Sequence, residues 1–260
     1  MSFIDYKNTP IFYNDVGKGS AVVLLHGFLE NSSMWDDAVA TLSKKNRVIT
    51  IDLLGHGKTN CLGYIHTMTE MANTVHTVLK HLNLRRYFLI GHSMGGYVAL
   101  DFAKRYTKNV KGLCLLNSTY EADDAERKQI RTRANKMVQN NFENVVRMSF
   151  ANLFSNKSKQ LFKAEFEIAL NEALKTPLQG YIAAQEGMKL REDTSSFFAN
   201  APFLKTIILG KKDTILNHNN ISQYAENHNI PMHLFSEGHM SYIENRDKFL
   251  HQLVCFIEKR

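Results

Sequence analysis

The sequence has few cysteines and no long apolar run. Its 260 residues include three cysteines, Cys61, Cys114 and Cys255, and these are far apart and lack the paired spacing of metal ligands. Because neither a disulfide framework nor a metal motif is present, we expect a reduced, cytoplasmic protein without a bound metal. No apolar stretch reaches the length of about 18 residues that a membrane-spanning helix needs, so we expect no stable membrane association.

The sequence also lacks a targeting segment and a dense basic tract. The N-terminal stretch MSFIDYKNTP does not have the basic segment followed by an apolar segment that marks a secretory signal peptide. The formal net charge is +7, but lysines and arginines are spread along the chain without a nucleic-acid-binding motif. We therefore expect no nucleic-acid partner and a basic, solvated surface. The sequence contains no indication of an oligomeric state.

Short apolar runs alternate with helical patterns along most of the chain. The predicted strands are 21–25, 47–51, 87–90, 112–116, 205–209 and 230–235, and the predicted helices are 33–44, 67–82, 94–106, 217–228 and 246–259. Most of these strands are apolar throughout, which is typical of strands covered on both faces. The alternation predicts an α/β fold with a mainly parallel sheet between helices, and FIDYK and IFYNDVG predict an antiparallel hairpin at its edge.

Residues 118–196 break this alternation, because helical patterns continue there without a strand. Three apolar stripes are predicted to face inward: Ile130, Ala134, Met137 and Val138; then Phe162, Phe166, Ala169, Leu170 and Ala173; then, after Pro177, Leu178, Tyr181, Ile182 and Gln185. We interpret 118–196 as a helical cap inserted between two strands of a core that comprises 1–117 and 197–260.

A serine among glycines stands where a predicted strand meets a predicted helix. Residues 89–100 read LIGHSMGGYVAL, in which Gly91 to Gly95 fit the pattern G-x-S-x-G. Glycines two positions before and after the serine leave room for a sharp turn, and this turn would project the Ser93 hydroxyl at the carboxyl end of the sheet. The Met94 N–H at the start of the helix would point into the same space. The alternative is that Ser93 only caps the helix.

A serine nucleophile needs a general base and an acid that orients the base. His239 follows the last predicted strand, and Asp213 follows the strand 205–209, so both lie at the same sheet edge as Ser93. The chain order serine, aspartate, histidine is that of one known type of catalytic triad. Asp213 could instead cap the following helix. Asp52 is a rival acid at another strand end, but it precedes the serine.

Five ordered motifs resemble the α/β-hydrolase superfamily, in its cap-bearing branch of small esterases and C–C bond hydrolases. The motifs are LLHGFLENSSMW (24–35), DLLGHGKT (52–59), GHSMGG, LGKKD and EGHM. The resemblance covers both ends of the chain and spares 118–196, where that family inserts a variable helical cap. It implies the α/β-hydrolase fold, with an eight-stranded, mainly parallel sheet flanked by helices.

The resemblance also implies a role for individual residues. Ser93 would be the nucleophile, His239 the general base and then the general acid, and Asp213 the residue that orients His239. The backbone N–H groups of Phe28 and Met94 would form the oxyanion hole. No metal or organic cofactor is required by this chemistry.

Two positions narrow the predicted reaction. Some relatives carry the acid after the strand that precedes the cap, where this sequence has Asn117 and no carboxylate, and this favours Asp213. Haloalkane dehalogenases and epoxide hydrolases carry an aspartate at the position of Ser93, whereas a serine suits attack on a carbonyl carbon. The sequence thus predicts a carboxylesterase whose partner is a small-molecule ester with a small or medium acyl group.

The substrate is expected to bind under the cap. Candidate lining residues are Phe28, Met94, Met137, Met148 and Met188, because methionine forms adaptable apolar surfaces. Packing between cap and core is the alternative explanation for the three cap methionines.

Two other functions stay open at this point. The same triad could cleave a C–C bond or eliminate pyruvate if arginines of the insert bound a substrate carboxylate; the insert contains Arg127, Arg131, Arg133, Arg147 and Arg191. The chain could also be a small-molecule sensor that retains its triad.

Overall fold

The structure is a computed structural model that describes residues 2–258 of the chain. The strands in this range are β1 (Ser2–Tyr6), β2 (Thr9–Gly17), β3 (Ser20–Leu25), β4 (Asn46–Ile51), β5 (Tyr87–His92), β6 (Val110–Leu116), β7 (Leu204–Gly210) and β8 (Met232–Phe235). The helices are α1 (Asp36–Leu42), α2 (Met68–His81), α3 (Met94–Arg105), α4 (Ala125–Val138), α5 (Phe142–Ala151), α6 (Asn156–Leu161), α7 (Lys163–Ala173), α8 (Leu178–Lys189), α9 (Ser195–Asn200), α10 (His218–Asn227), α11 (Ser241–Glu244) and α12 (Arg246–Glu258). Short 3-10 turns cover Ser32–Trp35 and Thr107–Asn109.

The eight strands form one sheet in the order β1-β2-β4-β3-β5-β6-β7-β8. The β1–β2 and β2–β4 pairs are antiparallel, and the other pairs are parallel. This confirms the predicted α/β fold and the predicted edge hairpin. In the register, Leu25 of β3 lies opposite Gly91 of β5, and His92 lies opposite Leu116 of β6. The loops that follow these strands therefore meet at one edge of the sheet.

Each face of the sheet is covered by its own layer of helices. In β5, Leu89 belongs to the apolar cluster shared with α2 and α3, whereas Phe88 and Ile90 belong to the cluster shared with α1 and α12. Alternate residues of one strand thus face opposite layers, which explains why the predicted strands are apolar throughout. The predicted helix at 246–259 is confirmed as α12, whose Phe249 and Leu253 are buried against the sheet.

Five helices, α4 to α8, follow β6 and form most of the segment before β7. The predicted stripe of α7 is confirmed, because Leu170 and Ala173 are buried. The predicted stripe of α4 is confirmed for Val138, which is fully buried, and is wrong for Ile130 and Met137, which are 47% and 53% exposed to solvent.

Polar contacts between α4 and α8 explain this error. Arg131 Nη1 donates to Gln185 Oε1 (2.7 Å), and Asn135 Nδ2 donates to Glu186 Oε1 (2.7 Å). The face of α4 that carries Arg131, Asn135 and Val138 therefore points inward, and hydrophobicity alone could not identify it. The extent of the insert as a separate cap stays a prediction.

Helix α8 packs directly on the backbone of the loop between β4 and α2. A Cβ on Gly187 would overlap the carbonyl oxygen of His66, and a Cβ on Gly180 would overlap that of Gly55. The N–H of His66 also donates to the carbonyl oxygen of Ala183 (2.9 Å). Small residues on α8 thus allow the insert to contact the core at backbone distance.

Candidate active site

Ser93 lies in a sharp turn between β5 and α3. Its backbone has φ 47° and ψ −116°, a strained conformation for a residue with a Cβ. A Cβ on Gly91 would overlap the carbonyl oxygen of Gly95, and a Cβ on Gly95 would overlap that of Leu25. Both glycines are therefore needed for the turn to close, as the motif predicts. The Ser93 side chain makes no capping hydrogen bond to α3.

The strained turn is held by the loop that follows β6. The Ser93 N–H donates to the carbonyl oxygen of Leu116 (2.9 Å), and the Ser118 hydroxyl donates to the carbonyl oxygen of Ser93 (2.7 Å). Fixing both peptide groups of the serine over-determines its conformation, which is how an unfavourable φ persists in a folded protein.

Asp213 and His239 form a buried pair at the same sheet edge. His239 Nδ1 lies 2.7 Å from Asp213 Oδ2, and the two side chains are 3% and 0% exposed. Asp213 Oδ1 accepts hydrogen bonds from the N–H groups of Ile215 (2.8 Å) and Leu216 (3.1 Å). Burial alone would raise the pKa of Asp213, but the interaction with His239 and these hydrogen bonds hold it below its ordinary value. The carboxylate is thus ionised at neutral pH.

Asn117 belongs to the site although it carries no carboxylate. Its amide Nδ2 donates to Asp213 Oδ2 (3.0 Å) and to the carbonyl oxygen of Gly238 (3.3 Å), so it joins the acid loop to the histidine loop. Its φ is 43°, in the left-handed region. An asparagine directly after a buried strand is a usable sequence signal for this role, because asparagine tolerates that region better than most residues do.

Phe28 and Met94 have free backbone N–H groups within residues 2–258, where neither N–H has a hydrogen-bond acceptor. Gly27, which precedes Phe28, lies against the serine, since a Cβ on Gly27 would be 3.2 Å from Ser93 Cβ. Met94 thus follows Ser93 directly, and the segment that leads into Phe28 lies against the serine at Gly27.

The histidine loop lies beside the serine turn. The rings of His92 and His239 are 5.1 Å apart between centroids, and His92 immediately precedes Ser93. Within the described range neither Ser93 Oγ nor His239 Nε2 has a hydrogen-bond partner. Bonds between a catalytic hydroxyl and its base are often long without a bound substrate and shorten in the complex. The site thus contains a bonded acid–histidine pair and an adjacent serine turn.

A family model for the alpha/beta hydrolase fold matches residues 20–246 of the chain. The chain belongs to this family. In structure it is similar to a thermophilic esterase from Thermogutta terrifontis with malate bound, with a TM-score of 0.91, 26% identity and coverage of 96% of this chain and 94% of that chain.

Two curated relatives of the chain are named for activities other than ester hydrolysis. A dihydrolipoyllysine-residue acetyltransferase component of the acetoin cleaving system from Pseudomonas putida is 27% identical over 93% of this chain and 64% of that protein. A non-heme haloperoxidase from Rhodococcus erythropolis is 38% identical over 42% of this chain and 43% of that protein. The chain thus spans less than two thirds of the length of the curated relatives it matches, from 30% to 64%.

In this α/β hydrolase the ring of Phe28 is half-buried between the core and the insert. It packs against Tyr181 of α8 (4.9 Å between centroids) and against His56 (5.8 Å). The insert therefore contacts the proposed oxyanion segment directly through α8.

The predicted methionine pocket needs correction. Met137 and Met148 are 53% and 56% exposed, so they point to solvent rather than toward Ser93. Met94 and Met188 are buried in the largest apolar cluster, where their side chains pack in the core. For Met188 this matches the alternative of packing between cap and core. For Met137 the error has the same cause as the error in the α4 stripe, whereas Met148 lies on the exposed face of α5.

Four of the five arginines in the insert have protein partners. Asp123 binds Arg131 Nε (2.5 Å) and Arg191 Nη1 (2.6 Å), and its side chain is 1% exposed. Arg127 donates to the carbonyl oxygen of Ile215, and Arg147 pairs with Glu143. The guanidinium groups of Arg131 and Arg191 thus join parts of the insert through Asp123, and that of Arg127 joins the insert to the acid loop.

The rival acid Asp52 has a structural role. It is buried and accepts hydrogen bonds from the N–H groups of Ser32 (2.7 Å) and Lys58 (2.8 Å), so it fixes two loops. His66 is fully buried, and its Nε2 accepts a hydrogen bond from the N–H of Leu62 (3.0 Å). Burial lowers the pKa of His66 to about 4, so it is neutral at physiological pH.

Other described features outside the triad are a cavity, the arrangement of possible metal ligands and the lengths of the helices. A cavity of about 750 Å³ lies between the Ser32–Trp35 turn, α7 and the start of α12, but Ser93 and His239 do not line it. No group of three or more histidine, cysteine or acidic side chains within residues 2–258 is arranged to hold a metal ion. No helix in the same range is both long enough and apolar enough to cross a membrane.

Proposed function

We propose that this α/β hydrolase is a serine carboxylesterase in which Ser93 attacks the carbonyl carbon of an ester. The observation that carries the proposal is the buried bond of 2.7 Å between His239 and Asp213, on the loops that adjoin the strained Ser93 turn. The similarity to a solved esterase at 26% identity supports the same class of reaction.

In the first half of the reaction His239 acts as a base. Its Nε2 takes the proton of the Ser93 hydroxyl, and Oγ forms a bond to the substrate carbonyl carbon. Asp213 keeps the proton on Nδ1 and stabilises the imidazolium that forms. The N–H groups of Phe28 and Met94 donate to the oxyanion, and the loss of one such donor typically costs about a hundredfold to a thousandfold in rate.

In the second half His239 returns the proton. It protonates the leaving alcohol as the ester C–O bond breaks, and an acyl-enzyme remains on Ser93. His239 then takes a proton from water, whose oxygen attacks the acyl carbon. The carboxylic acid leaves, and the proton returns to the Ser93 oxygen. The chemistry needs no metal or organic cofactor.

We propose small or medium acyl esters as the substrates. The first helix of the insert belongs to a segment dense in charge, EADDAERKQIRTRANK at 121–136, whereas an enzyme acting on emulsified lipid would need an apolar lid. The structure does not support C–C bond cleavage, because four of the five candidate arginines already bind protein groups and Arg133 is exposed to solvent.

Hydrolysis of p-nitrophenyl acetate, butyrate, octanoate and palmitate tests the proposal. The wild type should turn over the short esters many times, and Ser93→Ala should lower kcat on the order of a millionfold. Ser196→Ala, an exposed serine in α9, is the matched control and should retain full activity.

Two results would contradict the proposal. Activity in Ser93→Ala comparable to the wild type would exclude Ser93 as the nucleophile. A single slow turnover by the wild type would favour a sensor over an enzyme. A preference for palmitate would overturn the acyl range alone.

A further inference from the structure

We infer that His92 and Glu30 form a buried ion pair that positions the oxyanion segment and the histidine loop around Ser93. Neither side chain is assigned a contact with substrate, so both are positioning residues. The inference rests on the proposed function, because it concerns the same site.

The His92 ring is held at both nitrogens. Nδ1 lies 2.8 Å from Glu30 Oε2, and Nε2 lies 3.0 Å from the carbonyl oxygen of His239. A carbonyl oxygen only accepts hydrogen bonds, so Nε2 must carry a proton, and a carboxylate opposite Nδ1 requires a second proton there. The geometry therefore favours an imidazolium at His92.

Glu30 extends the pair to the oxyanion segment. Its Oε2 also accepts the N–H of Gly27 at 2.6 Å, and Gly27 directly precedes Phe28. A Cβ on Gly27 would lie 2.9 Å from His92 Nδ1, so the three groups are packed without spare room. One carboxylate oxygen thus fixes the peptide before a proposed oxyanion donor.

The pair joins three segments that carry reacting groups. His92 is the residue before the nucleophile Ser93, Gly27 is the residue before Phe28, and the bonded carbonyl belongs to His239 itself. A shift of the pair would move the hydroxyl, the oxyanion donor and the base relative to one another.

Stability alone does not explain a charged pair at this place. The His92 and Glu30 side chains are 1% and 4% exposed, and apolar residues of similar volume often stabilise a protein at least as well as a buried ion pair does. Burial opposes both charges, but their mutual attraction raises the pKa of His92 and lowers that of Glu30. Asp213 and His26 also interact electrostatically with His92, and the rings of His239 and Tyr242 lie against its ring.

Loss of the carboxylate charge should disturb the geometry. In Glu30→Gln the amide can place either its oxygen or its nitrogen at the position of Oε2. With the oxygen there, a neutral His92 cannot donate from both ring nitrogens; with the nitrogen there, the Gly27 N–H loses its acceptor. One hydrogen bond of the network is therefore lost in either orientation. Displacements of about 1 Å in a catalytic arrangement can cost roughly a hundredfold in rate. Substrate binding under the insert does not involve the pair, and KM should change little.

A double-mutant cycle tests the inference on p-nitrophenyl butyrate. Glu30→Gln and His92→Gln should each lower kcat by roughly 10- to 100-fold at unchanged KM. The kcat of the double variant should fall no further than that of the less active single variant. Asp52→Asn is the matched control, because Asp52 is a buried carboxylate whose oxygens accept the backbone N–H groups of Ser32 and Lys58. Asp52→Asn should lower thermal stability and leave kcat unchanged.

The inference is wrong if either single variant keeps kcat within about twofold of the wild type, or if the two losses multiply in the double variant. These outcomes differ from failure of the proposed function, in which the wild type itself would show no turnover that depends on Ser93.

A second measurement uses only the wild-type protein, so it does not depend on whether a variant folds. In the nitrogen NMR spectrum of the wild type with labelled histidine, His92 should show protons on both ring nitrogens at neutral pH. A single protonated ring nitrogen at His92 would overturn the ion pair.

Discussion

The sheet and the helical segment that follows β6 are stabilised by different interactions. Each inner strand is bonded along its backbone to two neighbours and covered by apolar side chains on both faces. The α4 to α8 segment has a smaller apolar cluster and depends also on buried ion pairs and on glycine contacts at α8. Apolar patterning therefore determines the sheet, and specific polar and steric contacts determine how the insert sits on it.

The two regions also divide the proposed work. All members of the proposed triad lie on loops at the carboxyl edge of the sheet, whereas the insert reaches the site through Tyr181, which packs on Phe28. We therefore expect changes in the insert's buried contacts to affect stability first. We expect a smaller effect on the catalytic rate, because these contacts reach the site only through the packing of Tyr181 on Phe28.

Removal of the buried carboxylate in the insert should have the largest effect on stability. Asp123→Ala leaves Arg131 and Arg191 as unpaired buried charges, and breaking such a pair typically costs about 3–5 kcal/mol. Urea unfolding of the wild type and the variant measures the loss. Glu192→Ala, which removes an exposed partner of Lys104, is the control and should not shift the unfolding midpoint.

The effect of Asp123 should depend on pH. Burial raises the pKa of Asp123, but the attraction of Arg131 and Arg191 lowers it by more than burial raises it. The pKa of Asp123 in the folded protein therefore lies below the ordinary aspartate value. A lowered folded pKa means that the stabilisation is complete above the ordinary aspartate pKa of about 4 and is lost as the pH falls through the folded pKa. The stability difference between wild type and Asp123→Ala should therefore narrow in acid. A constant difference at all pH values would contradict the ion-pair account.

Two methionines of the insert allow a matched test of which faces are buried. Met188→Ala should cost about 2–5 kcal/mol in the free energy of unfolding, because Met188 is 2% exposed. Met137→Ala should cost no more than about 0.5 kcal/mol, because Met137 lies at the surface. Equal losses in urea unfolding would show that the inward face of α4 has been misidentified.

The sequence predicted the sheet well and the insert only in part, for a physical reason. Strands such as β3 and β5 are buried on both faces, so continuous apolar runs reveal them. In α4 the inward-facing positions include Arg131 and Asn135, whose partners Asp123 and Glu186 lie outside the helix. No periodicity in α4 itself indicates those partners.

The residues of the proposed site were predictable where the turn chemistry is local. The glycines around Ser93 and the strand ends before Asp213 and His239 are visible in the sequence. The contacts of Asn117 and Glu30 were not, because each depends on loops brought together only by the sheet register.

Labelling with a fluorophosphonate probe, followed by mass spectrometry of the peptides, tests the central claim most directly. The claim is that the loops at the carboxyl edge of the sheet activate the Ser93 hydroxyl. We predict that the folded wild type is modified at Ser93 and that Ser93→Ala is not modified. A folded wild type without label at Ser93, or labelling that persists unchanged in Ser93→Ala, would contradict the account.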